Sequence, residues 1–65
     1  MTITCSKHAI KRLNERKISF FDLYYAIKSG SKNYLNNKIK YIHNNICVIA
    51  YINCLNIYVL TVHYK

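Results

Sequence analysis

The chain has no proline, no tryptophan, a single glycine and only two acidic residues in 65. With neither proline nor glycine to punctuate it, no stretch reads as a linker, and no internal repeat or low-complexity segment is found. The length therefore predicts one domain over residues 1–65, and a domain of this size buries only about 60% of the surface its unfolded chain exposes. No run of 18 or more apolar residues occurs, which excludes a spanning helix. Neither predicted helix opposes a wide apolar face to a basic one, as a helix lying on a membrane would, so no membrane partner is expected.

Paired cysteines are also missing. Cys5, Cys47 and Cys54 are odd in number and share no paired spacing, which argues against a disulfide framework. With no charged-then-apolar leader, a reducing cytoplasmic setting is expected, with the thiols acting as small hydrophobes. Cys5-x-x-His8 resembles half a zinc site, but no second half has ligand spacing. Neither a metal nor another cofactor is expected.

What is present is positive charge. Ten basic residues give a net charge of +8, a field that gathers polyanions and weakens as salt rises. Lys, Asn, Ile and Tyr make up half the chain, as codon usage in an AT-rich genome would produce, so part of the lysine content reflects composition alone. Against that background the two arginines, Arg12 and Arg16, stand out. They lie four apart, and a guanidinium offers phosphate a planar fork that an ammonium does not. The hydrophobic share of 52%, with seven tyrosines, suits a thin core of side chains with an apolar body and a wet tip.

Periodicity predicts two helices and then strands. The first helix is expected from Lys7 to Lys17, capped by Ser6, with Ala9, Ile10 and Leu13 as its buried stripe. His8, Arg12, Glu15 and Arg16 line an adjacent stripe. The second is capped by Ser19, has Asp22 in its first turn, and carries Ile18 and Leu23 at the positions of a hydrophobic staple. Its expected core face is Phe20, Leu23, Tyr24 and Ile27, with Gly30 as a left-handed stop. Residues 31–37 read as a loop. The period then becomes two, predicting strands over 38–43, 46–52 and 57–64, joined by turns at Asn44-Asn45 and within 53–56. A short strand at Thr2 to Thr4 can pair at one edge. The fold class is thus α+β, two N-terminal helices packed on an antiparallel sheet of three to four strands.

Two-residue hairpins place His43, Ile46 and His63 in one row and Tyr41, Val48 and Thr61 in the next. Ile42, Cys47, Ile49, Leu60 and Val62 then form the opposite face, on which the helices are expected to pack. A one-residue slip would exchange the faces.

Ser6-x-His8-Ala9-x-x-Arg12-x-x-x-Arg16-x-Ile18-Ser19, followed by Asp22-Leu23, Ala26-Ile27 and Gly30, resembles the opening of the domain-of-unknown-function 4258 family. The run from Ile57 to Tyr64 is similar to that family's last strand. The resemblance implies a RelE/ParE-like toxin fold in β-α-α-β-β-β order, a group that includes ribonucleases cutting RNA without a metal through the ribose 2′-hydroxyl. Carried over by position, it implies catalytic roles for His8, Arg12, Arg16 and Tyr64, with Thr61 on the final strand. His63 stands where many members have another residue. The toxin likeness further implies an acidic antitoxin as a partner.

Cleavage of that kind needs a base, an acid and cations for the charged phosphorane. Histidine suits the first two, because its ordinary pKa of about 6.5 lies near operating pH. His8 or His63 would serve, with Tyr64 or Tyr41 assisting and Arg12 and Arg16 holding charge. Lys7, Lys11, Lys38, Lys40, Tyr41, His43 and Thr61 complete the expected nucleic-acid surface, lysines for phosphates and tyrosine for stacking. Each element also has a plainer explanation: exposed histidines, arginines paired with Glu15 or Asp22, and lysines guarding an edge strand. Three function classes follow. They are a toxin-type ribonuclease acting on RNA, a non-catalytic RNA-binding module, and an interaction or inhibitor domain for an acidic protein, as in mobile-element and viral proteins. Open strand edges are also compatible with a homodimer.

Overall fold

A computed structural model describes residues 2–65. The elements run β1 (Thr2–Cys5), α1 (Lys7–Arg16), α2 (Phe20–Ser29), β2 (Ser31–Leu35), β3 (Lys38–His43), β4 (Ile46–Asn53) and β5 (Asn56–Tyr64). The fold is α+β, but the sheet has five strands and is mixed, not three or four and antiparallel. Its order is β1-β5-β4-β3-β2, with β1 parallel to β5 and every other pair antiparallel. The helices intervene between β1 and β2 and cover one face of the sheet.

β2 occupies what the sequence presents as a loop. Its residues are all exposed, so Ser-Lys-Asn-Tyr-Leu shows no apolar alternation, and only its ladder with β3 makes it a strand. Three two-residue turns join β2 through β5, and the first residue of each, Asn36, Asn44 and Cys54, has positive φ. Asparagine tolerates that region; Cys54 is the poorer fit and narrows the last turn to Cys54-Leu55.

Both helix caps form as the sequence indicates. Ser6 Oγ accepts from the Ala9 amide at 3.0 Å, and Ser19 Oγ accepts from the Asp22 amide at 3.0 Å. α1 stops at Arg16 because Lys17 turns left-handed at φ 56°. Gly30 is different. Its φ is −73°, so no left-handed stop is needed there; glycine is required because a Cβ would collide with the Ala26 carbonyl oxygen and lie 2.7 Å from that of Ile42.

The core joins Ala9, Leu13, Leu23, Ala26 and Ile27 of the helices to Ile39, Tyr41, Val48, Ala50, Ile57, Val59 and Val62 of the sheet. The helices therefore sit on the Tyr41–Val48 face, not on the Ile42–Cys47 face. β4 is apolar on both sides, so its own sequence does not choose between them. Ala9, Ala26 and Ala50 are wholly buried, the small side chains that let helices approach a sheet closely. Ile10, Phe20 and Tyr24, expected in the core, are instead exposed.

The register of β5 changes partway along. Near the turn, Asn53 pairs with Asn56, Tyr51 with Tyr58 and Ala50 with Val59. Leu60 is then an extra residue, and beyond this bulge Ile49 pairs with Thr61, Val48 with Val62, Cys47 with His63 and Ile46 with Tyr64. The expected row of His43, Ile46 and His63 is displaced by that single residue, and Tyr64 takes the place of His63. Ser6 anchors the bulge: its hydroxyl donates to the Leu60 carbonyl at 2.9 Å and its amide to the Val59 carbonyl at 2.9 Å. Ser6→Ala should accordingly cost more than Ser19→Ala in urea unfolding, about 2 kcal/mol against about 1, because it removes a cap and also a partner of the bulge. Equal losses would mean that the Leu60 contact contributes nothing.

Candidate nucleic-acid interface

Strand alternation sorts the expected residues onto two sides of the sheet. Residues paired across a ladder share a face, so the uncovered face carries Lys38, Tyr51 and Tyr58 in one row. Lys40, Ile49 and Thr61 follow, then Ile42, Cys47 and His63. No helix lies over these residues, yet packing among neighbours leaves most of them partly buried, and Cys47 is fully so. Neither acidic residue belongs to the sheet: Glu15 is on α1 and Asp22 on α2.

Lys38 and the tyrosines are already arranged as a charged aromatic shelf. The Lys38 ammonium stands 5.8 Å from the centroid of the Tyr51 ring, within reach of the ring's electron-rich face. Tyr58, directly opposite Tyr51 and 42% exposed, doubles the aromatic surface. Neither tyrosine stands out in the sequence as a site residue. The signal that could have found them is their symmetry about the Cys54-Leu55 turn, which makes them a cross-strand pair whatever happens further along β5.

The other expected residues lie elsewhere. Lys7, His8, Lys11 and Arg16 are exposed on α1 and Arg12 is half-buried, all on the helix-covered side. Arg12 Nη1 lies 2.9 Å from a carboxylate oxygen of Glu15, and Lys11 lies 4.0 Å from the other, surface pairs of about 0–1 kcal/mol. Tyr64 is also on this side, donating from its phenol to the Arg16 carbonyl at 2.8 Å. That bond ties the end of β5 to the end of α1. Tyr41, expected to stack a base, is only 1% exposed and belongs to the core. Burial, and then the neighbouring Tyr34 phenol, push its own phenol up, keeping it neutral. His43 is half-buried and alternates with Tyr41 onto the helix side.

The structure thus brings Lys38, Lys40, Thr61 and His63 onto one face and leaves His8, Arg12, Arg16 and Tyr64 on the other. The sheet lies between His8 and His63, so the two imidazoles do not converge on one phosphate. Among the described residues no group of three or more His, Cys, Asp or Glu side chains could hold a metal ion, and no helix is long and apolar enough to cross a membrane.

A family model described as Domain of unknown function (DUF4258) matches residues 5–64. Comparisons with curated proteins and with solved structures find no match.

Proposed function

Since the chain belongs to the DUF4258 family, a membership that brings no activity with it, we propose from the geometry that the domain binds RNA across the uncovered face of its sheet. The observation that carries this reading is the makeup of that face: Lys38, Lys40 and His63 beside Tyr51 and Tyr58, with no carboxylate. Lysines can hold phosphates while the two rings take bases, an arrangement suited to unpaired strands. The net charge of +8 supports it by drawing a polyanion toward every surface. The same reading assigns the architecture to the RelE/ParE-like group that the sequence resembles.

Toxin-type cleavage has one observation in its favour, His63 on the face where RNA would lie. It would have to work without His8, and with cations from Lys38 and Lys40 in place of Arg12 and Arg16. Non-catalytic binding asks less of the site and is the reading adopted.

One assay tests both. A labelled single-stranded RNA is titrated in EDTA at about 150 mM salt, and its length is followed in the same samples. Tyr51→Ala/Tyr58→Ala should weaken binding tenfold or more, since base stacking contributes about 1–3 kcal/mol per base, with the fold checked by circular dichroism. Unchanged affinity in a folded variant would remove the face from consideration. RNA shortened by the native chain and not by His63→Ala would restore the catalytic reading.

A further inference from the structure

Both phenylalanines of the chain lie in the first turn of α2, with 65% of Phe20 and 66% of Phe21 exposed. Burying such rings is favourable, so a domain with a thin core leaves stabilisation unused there. Tyr24 and Tyr25, also exposed, extend the surface one turn onward as i,i+4 neighbours. The Phe21 and Tyr25 ring centroids are 4.9 Å apart. The four exposed rings thus form one contiguous aromatic surface on successive turns of α2. At its foot is a groove of about 350 Å³, lined by Ile3 and Cys5 of β1 and by Phe20, Phe21, Leu23 and Tyr24. Burial pushes the Cys5 thiol up, so it lines the groove as a neutral, apolar group.

A second observation concerns β1 itself. It is an edge of the sheet, and among the described residues no strand lies along its outer side. Thr2–Cys5 carries no lysine, proline or bulge to blunt that edge. Ile3 and Cys5 pair with the core residues Ile57 and Val59, so they point to the helix side. A strand laid about 4.8 Å beyond β1 would direct alternate side chains to that same side, next to the groove.

We propose that β1 and the groove form a docking site for an extended apolar segment of an acidic partner protein. The segment adds to the sheet beside β1 and lays alternate aliphatic side chains against Phe20, Phe21 and Tyr24. Main-chain bonds to the edge supply affinity and the groove supplies selectivity. Charge identifies the occupant. The chain carries +8, no residue lining the groove is acidic, and the Lys28 ammonium stands 5.6 Å from the Tyr24 ring centroid. A second copy would bring +8 against +8. The site is independent of the RNA-binding face.

The test is an NMR titration of the full chain, isotopically labelled, with a synthetic peptide of about eight residues alternating glutamate with valine or isoleucine. Amide shifts should concentrate at Ile3, Cys5 and Phe21. Three changes should each weaken binding tenfold or more: N-methylation of alternate peptide amides, lysine in place of glutamate, and Phe20→Ser/Phe21→Ser. Both rings are mostly in solvent, so that variant should fold. Equal affinity for the N-methylated peptide or the lysine peptide, or equal binding by the variant, would overturn the proposal. So would shifts confined to the opposite sheet face, or sedimentation of the free chain as a dimer that the serine variant abolishes.

Discussion

Replacing Lys38 and Lys40 by glutamate should lower RNA affinity at least a hundredfold at about 150 mM salt, while the same change at Lys7 and Lys11 should cost only severalfold. Each double variant moves the net charge by four, from +8 to +4, so the general attraction of the chain for a polyanion falls equally in both. The variants differ in where the charge is lost. Lys38 and Lys40 stand on the uncovered face beside Tyr51, where, on the proposed reading, their replacement would remove phosphate contacts and set carboxylates next to the backbone of a bound strand. Lys7 and Lys11 lie on α1, across the sheet. The salt dependence is the second readout. Its slope for single strands is about 0.7 per phosphate contact, so the sheet variant should lose about 1.4 units of slope and the helix variant almost none. The opposite ranking would move the interface to the stripe of His8, Arg12 and Arg16.

Gly30→Ala should destabilise the domain by about 3 kcal/mol, lowering the melting temperature by roughly 12–24 °C in a chain of this size. Replacing glycine by alanine where the backbone permits it ordinarily stabilises by about 0.4–1 kcal/mol, and the φ of −73° at Gly30 is open to any residue. The sign reverses because of what surrounds the Cα. The added Cβ would lie inside contact distance of two carbonyl oxygens, of Ala26 on α2 and of Ile42 on β3, and neither can rotate away as a side-chain tip could. The Gly30 amide also donates to the Ala26 carbonyl at 3.0 Å, so a shift that admits the methyl group strains the bond closing α2. A neutral or stabilising result in thermal unfolding would show that the helix end and the sheet stand farther apart.

Local signals in the sequence were reliable at the helix starts and at the Asn44-Asn45 turn, though not at Gly30, whose φ is −73°. Ser6 and Ser19 announce their helices because a hydroxyl at that position has orphan amides to satisfy. Asn44-Asn45 announces its turn because asparagine accepts positive φ. The α+β class followed from the change of period after residue 37. Failures came where the decision is made across the chain. Ser31–Leu35 is a strand through its neighbour, and nothing apolar in it reports the pairing. The covered face of β4 is set by helices that its own alternation does not encode. Phe20 and Tyr24 looked like core because helical spacing does not say which apolar residues the sheet has room to receive. The candidate site was legible in part. Lys38, Lys40, Thr61 and His63 were identified and do share a face, whereas Tyr41 is core and Tyr51 and Tyr58 were passed over.

The extra residue at Leu60 acts on parity. In a strand the odd and even positions are bound to opposite sides, so every residue beyond an insertion or deletion changes its environment together. With Leu60 present, Val62 enters the core while Thr61 and His63 face outward. Were Leu60 to pair with Ile49 in an unbroken ladder, the threonine and the histidine would turn beneath α1 and the valine would be exposed, although no residue had changed. Losing Leu60 itself leaves the faces as they are, because the threonine still pairs with Ile49. β5 thus tolerates a single-residue deletion at the bulge, whereas elsewhere along it a change of odd length exchanges the side chains displayed.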